Sequence, residues 1–246
     1  VGQVRVSILG VPIDAVTQDE AVLRVREFLT DGHQHHVMTP NPEMLVKATK
    51  DLYFLGVLQR TALNIPDGIG LLFAARMLGK RLPARVTGID LLMRVASLPE
   101  INPVFLLGAA PGVAERAAEA LKRQCPSLEV VGTYAGSPAL REEDDIIRRI
   151  NASGARSLFV AFGAPVQDLW IDWNLKRMPN VAVAMGVGGS FDFLAGVQKR
   201  APQLLRSTGL EWAWRLLCEP SRWRRIITAT VVFPLLVLRA KFQGRS

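Results

Sequence analysis

Cysteine is scarce in this chain. Cys125 and Cys218 are the only two, too few for a metal or disulfide framework, and a reducing compartment is expected. No apolar run reaches the roughly twenty residues that a membrane span requires. The longest candidate, 226–238, is interrupted by Pro234, so it should lie on a bilayer or pack on the core. No internal repeat and no low-complexity stretch occurs. Histidine is also rare, and His35 and His36 are adjacent. In a strand they would point to opposite faces, and neither they nor His33 has an acidic or cysteine partner at ligand spacing, so no metal site is expected. No Asp-x-Asp pair occurs anywhere. Residues 1–7 read as a strand and not as a signal peptide. Because the chain opens on Val1, its numbering is expected to start inside the natural protein.

What is present points to an α/β protein. The length suits one large domain or one domain with an appendage, and an apolar fraction of 49% supports a sizeable core. Short apolar runs at 4–9, 35–38, 62–65, 104–107, 129–131, 157–162 and 181–185 alternate with helical patterns, as in βαβ units. Several lack polar alternation, which fits strands of a parallel sheet buried on both faces. Thr17-Gln-Asp-Glu20 is a capping box, and Thr87-Gly-Ile-Asp90 resembles one. Pro111-Gly112 opens an Ala/Glu-rich helix to about Gln124. Ser137-Pro138 places a proline at a helix start, ahead of Glu142, Glu143, Asp144 and Asp145.

Composition changes near Gly196. From Lys199 to Ser246 there are ten basic residues against Glu211 and Glu219, so this tail carries the whole net charge of +8. Trp212, Trp214 and Trp223 lie there too. The sequence therefore divides into a core, 1–196, and a basic amphipathic appendage, 197–246. The appendage is expected to hold one helix over 202–217, a break at Glu219-Pro220, and a second helix from Ser221. Arginine and tryptophan interleaved with Leu and Ile suit a surface that meets phosphate and apolar matter together, such as anionic lipid or a pyrophosphate at a membrane. Nucleic acid is the other candidate, and a solvated basic helix pair is the plain reading.

Several turns fall where open α/β sheets bind ligands, at strand C-terminal ends. Thr39-Pro-Asn-Pro42 presents Thr39 and Asn41, although Asn41 could simply cap a helix. Asn64-Ile-Pro-Asp67-Gly-Ile-Gly70 presents Asp67, a carboxylate able to take a proton from an attacking hydroxyl, or else an N-cap. Gly108-Ala-Ala-Pro-Gly112 resembles a phosphate turn without a dinucleotide fingerprint. In Ala161-Phe-Gly-Ala-Pro-Val-Gln-Asp168, Gln167 and Asp168 could bond a base edge. Met185-Gly-Val-Gly-Gly-Ser-Phe-Asp192, with Gly188, is another glycine-rich strand end. Each alone reads as a tight turn; together they make a common crevice. With no Asp-x-Asp to hold a cation, the tail arginines could neutralise a leaving diphosphate.

Taken together, the motifs resemble the WecG/TagA/CpsF glycosyltransferases, family 26 of the sugar transferases. The resemblance runs from about Gly10 to Leu238. It rests on Thr39-Pro-Asn-Pro-Glu-Met-Leu45, Pro66-Asp-Gly-Ile-Gly70, Arg85-Val-Thr-Gly-Ile-Asp-Leu-Leu92, Phe105-Leu-Leu-Gly108 with Pro111-Gly-Val-Ala-Glu-Arg116, Gly163-Ala-Pro-Val-Gln-Asp168, and Gly186-Val-Gly-Gly-Ser-Phe-Asp192. Arg200-Ala-Pro202, Gly209-Leu-Glu-Trp212 and Glu219-Pro220 complete it. It implies a Rossmann-like α/β fold and inverting, metal-independent transfer from a UDP-sugar without a cofactor. The implied acceptor is a polyprenyl-diphosphate-linked saccharide at the cytoplasmic membrane face, in cell-envelope, teichoic-acid or exopolysaccharide synthesis. By the same resemblance Asp67 is the general base, Thr39, Asn41 and Arg85 surround the sugar, and Gln167 helps hold the nucleotide. Arg215, Arg222 and either Arg224 or Arg225 face the diphosphate. Two departures are Val166, where many members have Lys, and Asp168, where they have Glu. The sugar is left open between N-acetylmannosamine, its uronic acid and hexoses. A peripheral membrane protein is implied, with self-association through the core as a further expectation.

Two other classes compete with this reading. A nucleotide-dependent Rossmann oxidoreductase would place GxGxxG after its first strand, where this chain has Gly10-Val-Pro-Ile. A nucleic-acid-binding protein using the tail would show steeply salt-dependent affinity and no need of Asp67.

Overall fold

The computed structural model describes residues 4–243; Val1, Gly2, Gln3, Gly244, Arg245 and Ser246 lie outside them. The chain opens with an antiparallel hairpin of β1 (Arg5–Ile8) and β2 (Val11–Asp14), in which Ile8 pairs with Val11. The first apolar run, a strand candidate in the βαβ alternation, thus forms a separate antiparallel hairpin. The two-residue turn is Leu9-Gly10, both at positive φ (52° and 80°), a backbone twist that suits a tight hairpin. A leucine in that position hides the turn from sequence reading. Buried Asp14 fastens the hairpin to the rest: its carboxylate pairs with Arg5 at 2.9 Å and accepts from the Asn64 N–H at 2.7 Å.

The remaining strands form one six-stranded, all-parallel sheet. They are β3 (His35–Met38), β4 (Leu63–Asn64), β5 (Val104–Gly108), β6 (Val130–Tyr134), β7 (Ser157–Ala161) and β8 (Val183–Gly186), in the order β4-β3-β8-β7-β5-β6. Every residue of β5, β7 and β8 is buried. Alternate side chains serve opposite layers: Leu106, Phe159 and Met185 pack on one side of the sheet, and Leu107, Val160 and Ala184 on the other. This is the Rossmann-like α/β core, flanked by helices and followed by C-terminal helices.

The caps follow the sequence in most places. Thr17 and Glu20 form the capping box, and Thr87 accepts from the Asp90 N–H. The Ala/Glu-rich helix spans Val113–Gln124 behind Gly112 at φ +78°. The helix after Ser137-Pro138 begins only at Leu140, with Ala139 as N-cap. Pro138 therefore lies before the cap instead of in the first turn.

In the tail, one expected helix is two. Gln203–Ser207 and Glu211–Cys218 are separated at Gly209, whose φ of +78° ends the first. A Cβ there would meet Ile69 at 3.3 Å. The chain then runs through a 3₁₀ turn at Pro220–Arg222 into three consecutive helical segments, Trp223–Ile227, Thr228–Val232 and Phe233–Phe242. The middle segment is a π-helix. Pro234 has no N–H to return to the preceding turn, and a local widening of the helix accommodates that loss. Among the described residues no helix is long and apolar enough to cross a membrane.

The division at 196 is one of composition, because the tail shares the core's packing. Phe233 and Val237 are buried in the same cluster as Met44, Phe54 and Leu71. Three ion pairs add to this: Arg200–Asp90 at 2.7 Å, Arg85–Glu211 at 3.5 Å and Arg225–Glu43 at 2.6 Å.

Candidate active site

Strands β4, β3, β8 and β7 are neighbours, and the loops at their C-terminal ends enclose a polar cleft of about 340 Å³. Thr39 and Asn41 enter it from the end of β3, Asp67 from β4, Gly163 from β7 and Gly188 from β8. Asn41 is a helix cap that also faces the cleft. Its side chain accepts from the Met44 N–H at 3.1 Å, capping Pro42–Ala48, and it also lines the cleft.

Asp67 is not a cap. Gly68, at φ +108°, holds the N-cap position of Ile69–Met77. The Asp67 backbone N–H donates to the Pro40 carbonyl at 3.0 Å. Among the described residues its carboxylate accepts a single long bond, 3.4 Å, from the Gly88 N–H, and so stays available to the cleft. Burial pushes this carboxyl up to about 6, against the pull of Arg215, the Gly88 N–H and Arg85; Glu211 pushes the same way as burial. Desolvation of this kind is how a carboxylate gains basicity.

The tail completes the cleft wall. Arg215, Arg222 and Arg225 all line it, whereas Arg224 lies over the Trp223 ring at 5.2 Å and does not. Of the two sequence candidates, Arg225 is the one that lines the cleft. Each of the three is held by an acid: Arg215 by Glu211 at 3.3 Å, Arg222 by Glu219 at 2.5 Å, and Arg225 by Glu43. Arg215 also lies over the Phe193 ring, 5.2 Å from its centroid. Glu211 is the hinge of this arrangement, since it bonds Arg215 on one side and Arg85 on the other. The sequence shows Glu211 as one of two acids in a basic tail and within the Gly209-Leu-Glu-Trp212 motif, but gives it no partner. Asp192, raised by burial and by Glu219 and lowered by Arg222, also lines the cleft.

Gln167 ties two loops together. Its Oε1 accepts from the Gly163 N–H at 3.1 Å and the Gly188 N–H at 3.0 Å. A Cβ on Gly186 would come within 2.5 Å of both Gln167 Nε2 and Asp168 Oδ1, so only glycine fits beneath it. Asp168 itself is turned away from the cleft. It is fully buried against His36, 3.6 Å away, and burial raises its carboxyl while His36 lowers it. The expectation that it reads a base edge is therefore corrected: its position in the helix points it inward.

The histidines have acidic partners that sequence spacing did not show. His35 bonds Asp31 at 2.8 Å and stacks on Phe28, and His36 faces Asp168 across the fold. Gly108 does not line the cleft. At φ +102° its missing Cβ leaves room for the Ala161 carbonyl carbon, which a Cβ would approach to 2.8 Å. Arg85 lines a second cavity, an apolar groove of about 450 Å³ that shares Asn41, Asp67, Glu211 and the three arginines with the cleft. The first strand of the parallel sheet, β3, is followed by Thr39-Pro-Asn-Pro42 and not by a GxGxxG turn, which speaks against the oxidoreductase alternative.

The family model described as "Glycosyl transferase WecG/TagA/CpsF family" matches residues 6–246. The chain is similar to the N-acetylglucosaminyldiphosphoundecaprenol N-acetyl-beta-D-mannosaminyltransferase of Bacillus spizizenii (strain ATCC 23059 / NRRL B-14472 / W23). The two are 35% identical over 203 residues, covering 82% of this chain and 78% of that protein. It is also similar to the protein of the same name from Staphylococcus aureus (strain NCTC 8325 / PS 47), 30% identical over 243 residues, or 96% and 93% of the two chains.

Proposed function

The chain belongs to the glycosyl transferase WecG/TagA/CpsF family, and from that premise we propose that it moves N-acetylmannosamine from its UDP derivative to an N-acetylglucosaminyl-diphospho-prenol. The sugar and acceptor follow the names of the relatives. The observation that carries the reading is the position of Asp67. A carboxyl raised to about 6 stands in the same cleft as three arginines brought by the tail.

The chemistry is a single displacement with inversion. Asp67 takes the proton from the acceptor hydroxyl as its oxygen attacks the anomeric carbon. The bond from that carbon to the donor's phosphate oxygen breaks, and UDP leaves with the electron pair. Arg215, Arg222 and Arg225 stabilise the charge on diphosphate, so no divalent cation is needed for that task. Thr39 and Asn41 border the sugar, and Gln167 holds the Gly163 and Gly188 loops where their backbone meets the nucleotide. The tail's charge and exposed apolar residues bring the enzyme peripherally to an anionic membrane face, where a prenyl-linked acceptor resides.

The test is a panel of UDP-sugars offered with a short prenyl-diphosphate-linked N-acetylglucosamine, with UDP release and product mass as readouts. UDP-N-acetylmannosamine should give a disaccharide product, also in excess chelator. Turnover with another UDP-sugar alone would overturn the choice of sugar. Loss of turnover in chelator, restored by magnesium, would overturn the arginine assignment.

A further inference from the structure

One fully buried acid takes no part in the reaction as described so far. Asp168, the third residue of the helix Val166–Asn174, faces His36 of β3 at 3.6 Å, and His36 is itself buried. Among the described residues, neither carboxylate oxygen of Asp168 completes a hydrogen bond, and neither does His36 Nε2. Burial raises this carboxyl, while His36 and Gln167 favour its ionised form. A buried carboxylate so loosely met is a cost to the fold. Replacing such a group by a well-packed apolar one is often neutral or stabilising. Packing alone therefore gives no reason for an acid at this position.

Gln167 gives the reason. Its Nε2 and the Asp168 Oδ1 flank one point, each 2.5 Å from where a Gly186 Cβ would stand. The other end of the amide, Oε1, accepts from the Gly163 N–H at 3.1 Å and the Gly188 N–H at 3.0 Å. The two ends of a glutamine amide are alike in shape, and only their hydrogen bonds tell them apart. Turned over, this amide would present its NH₂ to two N–H donors, and neither loop would be tied. The group behind Nε2 decides which orientation holds. An ionised carboxylate accepts and cannot donate, so it favours the end that carries N–H.

We propose that Asp168 is a positioning residue for the donor nucleotide. It holds the Gln167 amide with Nε2 toward the buried carboxylate and Oε1 toward the cleft, and so sets the spacing of the Gly163 and Gly188 loops. His36, with its proton on Nε2, offers the acid a donor from β3. The inference rests on the reading of these loops as the nucleotide site. It adds a residue that governs the nucleotide's affinity without touching it. Gly186 belongs to the same device, since a side chain there would stand between Gln167 and Asp168 and part them. Loops that hold a ligand are only as well placed as the residues behind them, and that placement offsets the cost of burying the acid.

The experiment separates affinity from turnover. The full chain is titrated with UDP by calorimetry, and donor KM and kcat are read from UDP release. Asp168→Asn keeps the size of the side chain but can donate as well as accept, so it no longer enforces one orientation of Gln167. Its Kd for UDP and its donor KM should rise about tenfold, the scale of one hydrogen bond to a charged group, with kcat at saturating donor within about threefold. Its melting temperature should not fall, because a buried charge is removed. Gly186→Ala, which drives a Cβ into the same gap, should show the same split and guards against a folding defect in the first variant. In a Gln167→Ala background, Asp168→Asn should add no further loss of UDP affinity. Unchanged UDP affinity in Asp168→Asn and Gly186→Ala, a fall in kcat alone, or additive losses in the double variant each overturn the proposal. A parent chain that binds UDP no better than inorganic diphosphate would overturn the nucleotide reading, and this role with it; normal UDP binding in the parent and in both variants faults this role alone.

Discussion

Arg225 Nε lies 2.6 Å from Glu43 Oε2, joining the C-terminal helical run to the helix that Asn41 caps. The pair spans 182 positions of sequence and brings an arginine of the tail to the rim of the cleft. Arg225 is half-exposed, and a pair of this kind contributes at most about 1 kcal/mol to stability.

That bound separates structure from function at Arg225. Glu43→Gln should lower stability by less than about 1 kcal/mol and leave most of the turnover, because the arginine remains. Arg225→Gln should have the same small effect on stability and a much larger one on turnover, since the diphosphate loses a partner. Urea denaturation and UDP release on both variants check this. Equal turnover in the two would make Arg225 a structural tie and nothing more.

The raised carboxyl of Asp67 fixes the direction of two pH effects. As a base it works ionised, so kcat/KM should rise with pH through about 6 and then level off. The stability effect has the opposite sign. The folded value lies above the ordinary carboxylate value near 3.9, so ionisation is harder in the folded chain. The cost is absent below about pH 4 and complete above about pH 6. Asp67→Asn should therefore melt higher than the parent at pH 8, with the gain vanishing at pH 4. A gain that is the same at both values would contradict this.

Removal of the tail should harm more than activity. Sequence composition alone predicts a folded, soluble core after truncation near 196. The burial of Phe233 and Val237 among core residues predicts instead a destabilised product with an uncovered apolar face. Phe233→Ala should cost about 3–5 kcal/mol, measured by urea unfolding of the full chain. A cost below about 1 kcal/mol would return the tail to the status of a separate unit.

Membrane attachment is expected to follow the tail's charge. Cosedimentation with anionic vesicles should weaken as salt rises, and neutral vesicles should bind poorly. Arg215→Ala removes one charge of many but a central one in the cleft, so vesicle binding should persist while turnover falls. Joint loss of both would mean that the two roles share the residue.

The sheet and its ligand edge were legible because their signals are local. Unbroken apolar runs gave β5, β7 and β8, and a polar or glycine-rich turn stood at each strand end. The hairpin was missed because its turn uses Leu9, and positive φ in a leucine leaves no mark in the sequence. Gly209 was present to read, but its role as a helix break depends on contact with Ile69. The role of Glu211 between Arg85 and Arg215, the inward turn of Asp168 toward His36, and the groove beside Phe73 all depend on side chains from distant segments. No periodicity encodes such contacts. That Arg225 and not Arg224 lines the cleft likewise goes with a distant partner, Glu43.

The central claim is that Asp67 takes the acceptor's proton, and Asp67→Asn tests it most directly. The variant keeps the size and the bond from the Gly88 N–H but loses the basicity. Turnover is measured as UDP release with UDP-N-acetylmannosamine and the prenyl-linked acceptor at pH 8. The account predicts a fall of roughly 10²–10⁴-fold, with a folded chain and donor binding retained. Turnover within about threefold of the parent at that pH would contradict it, because an amide has no basicity to supply that step.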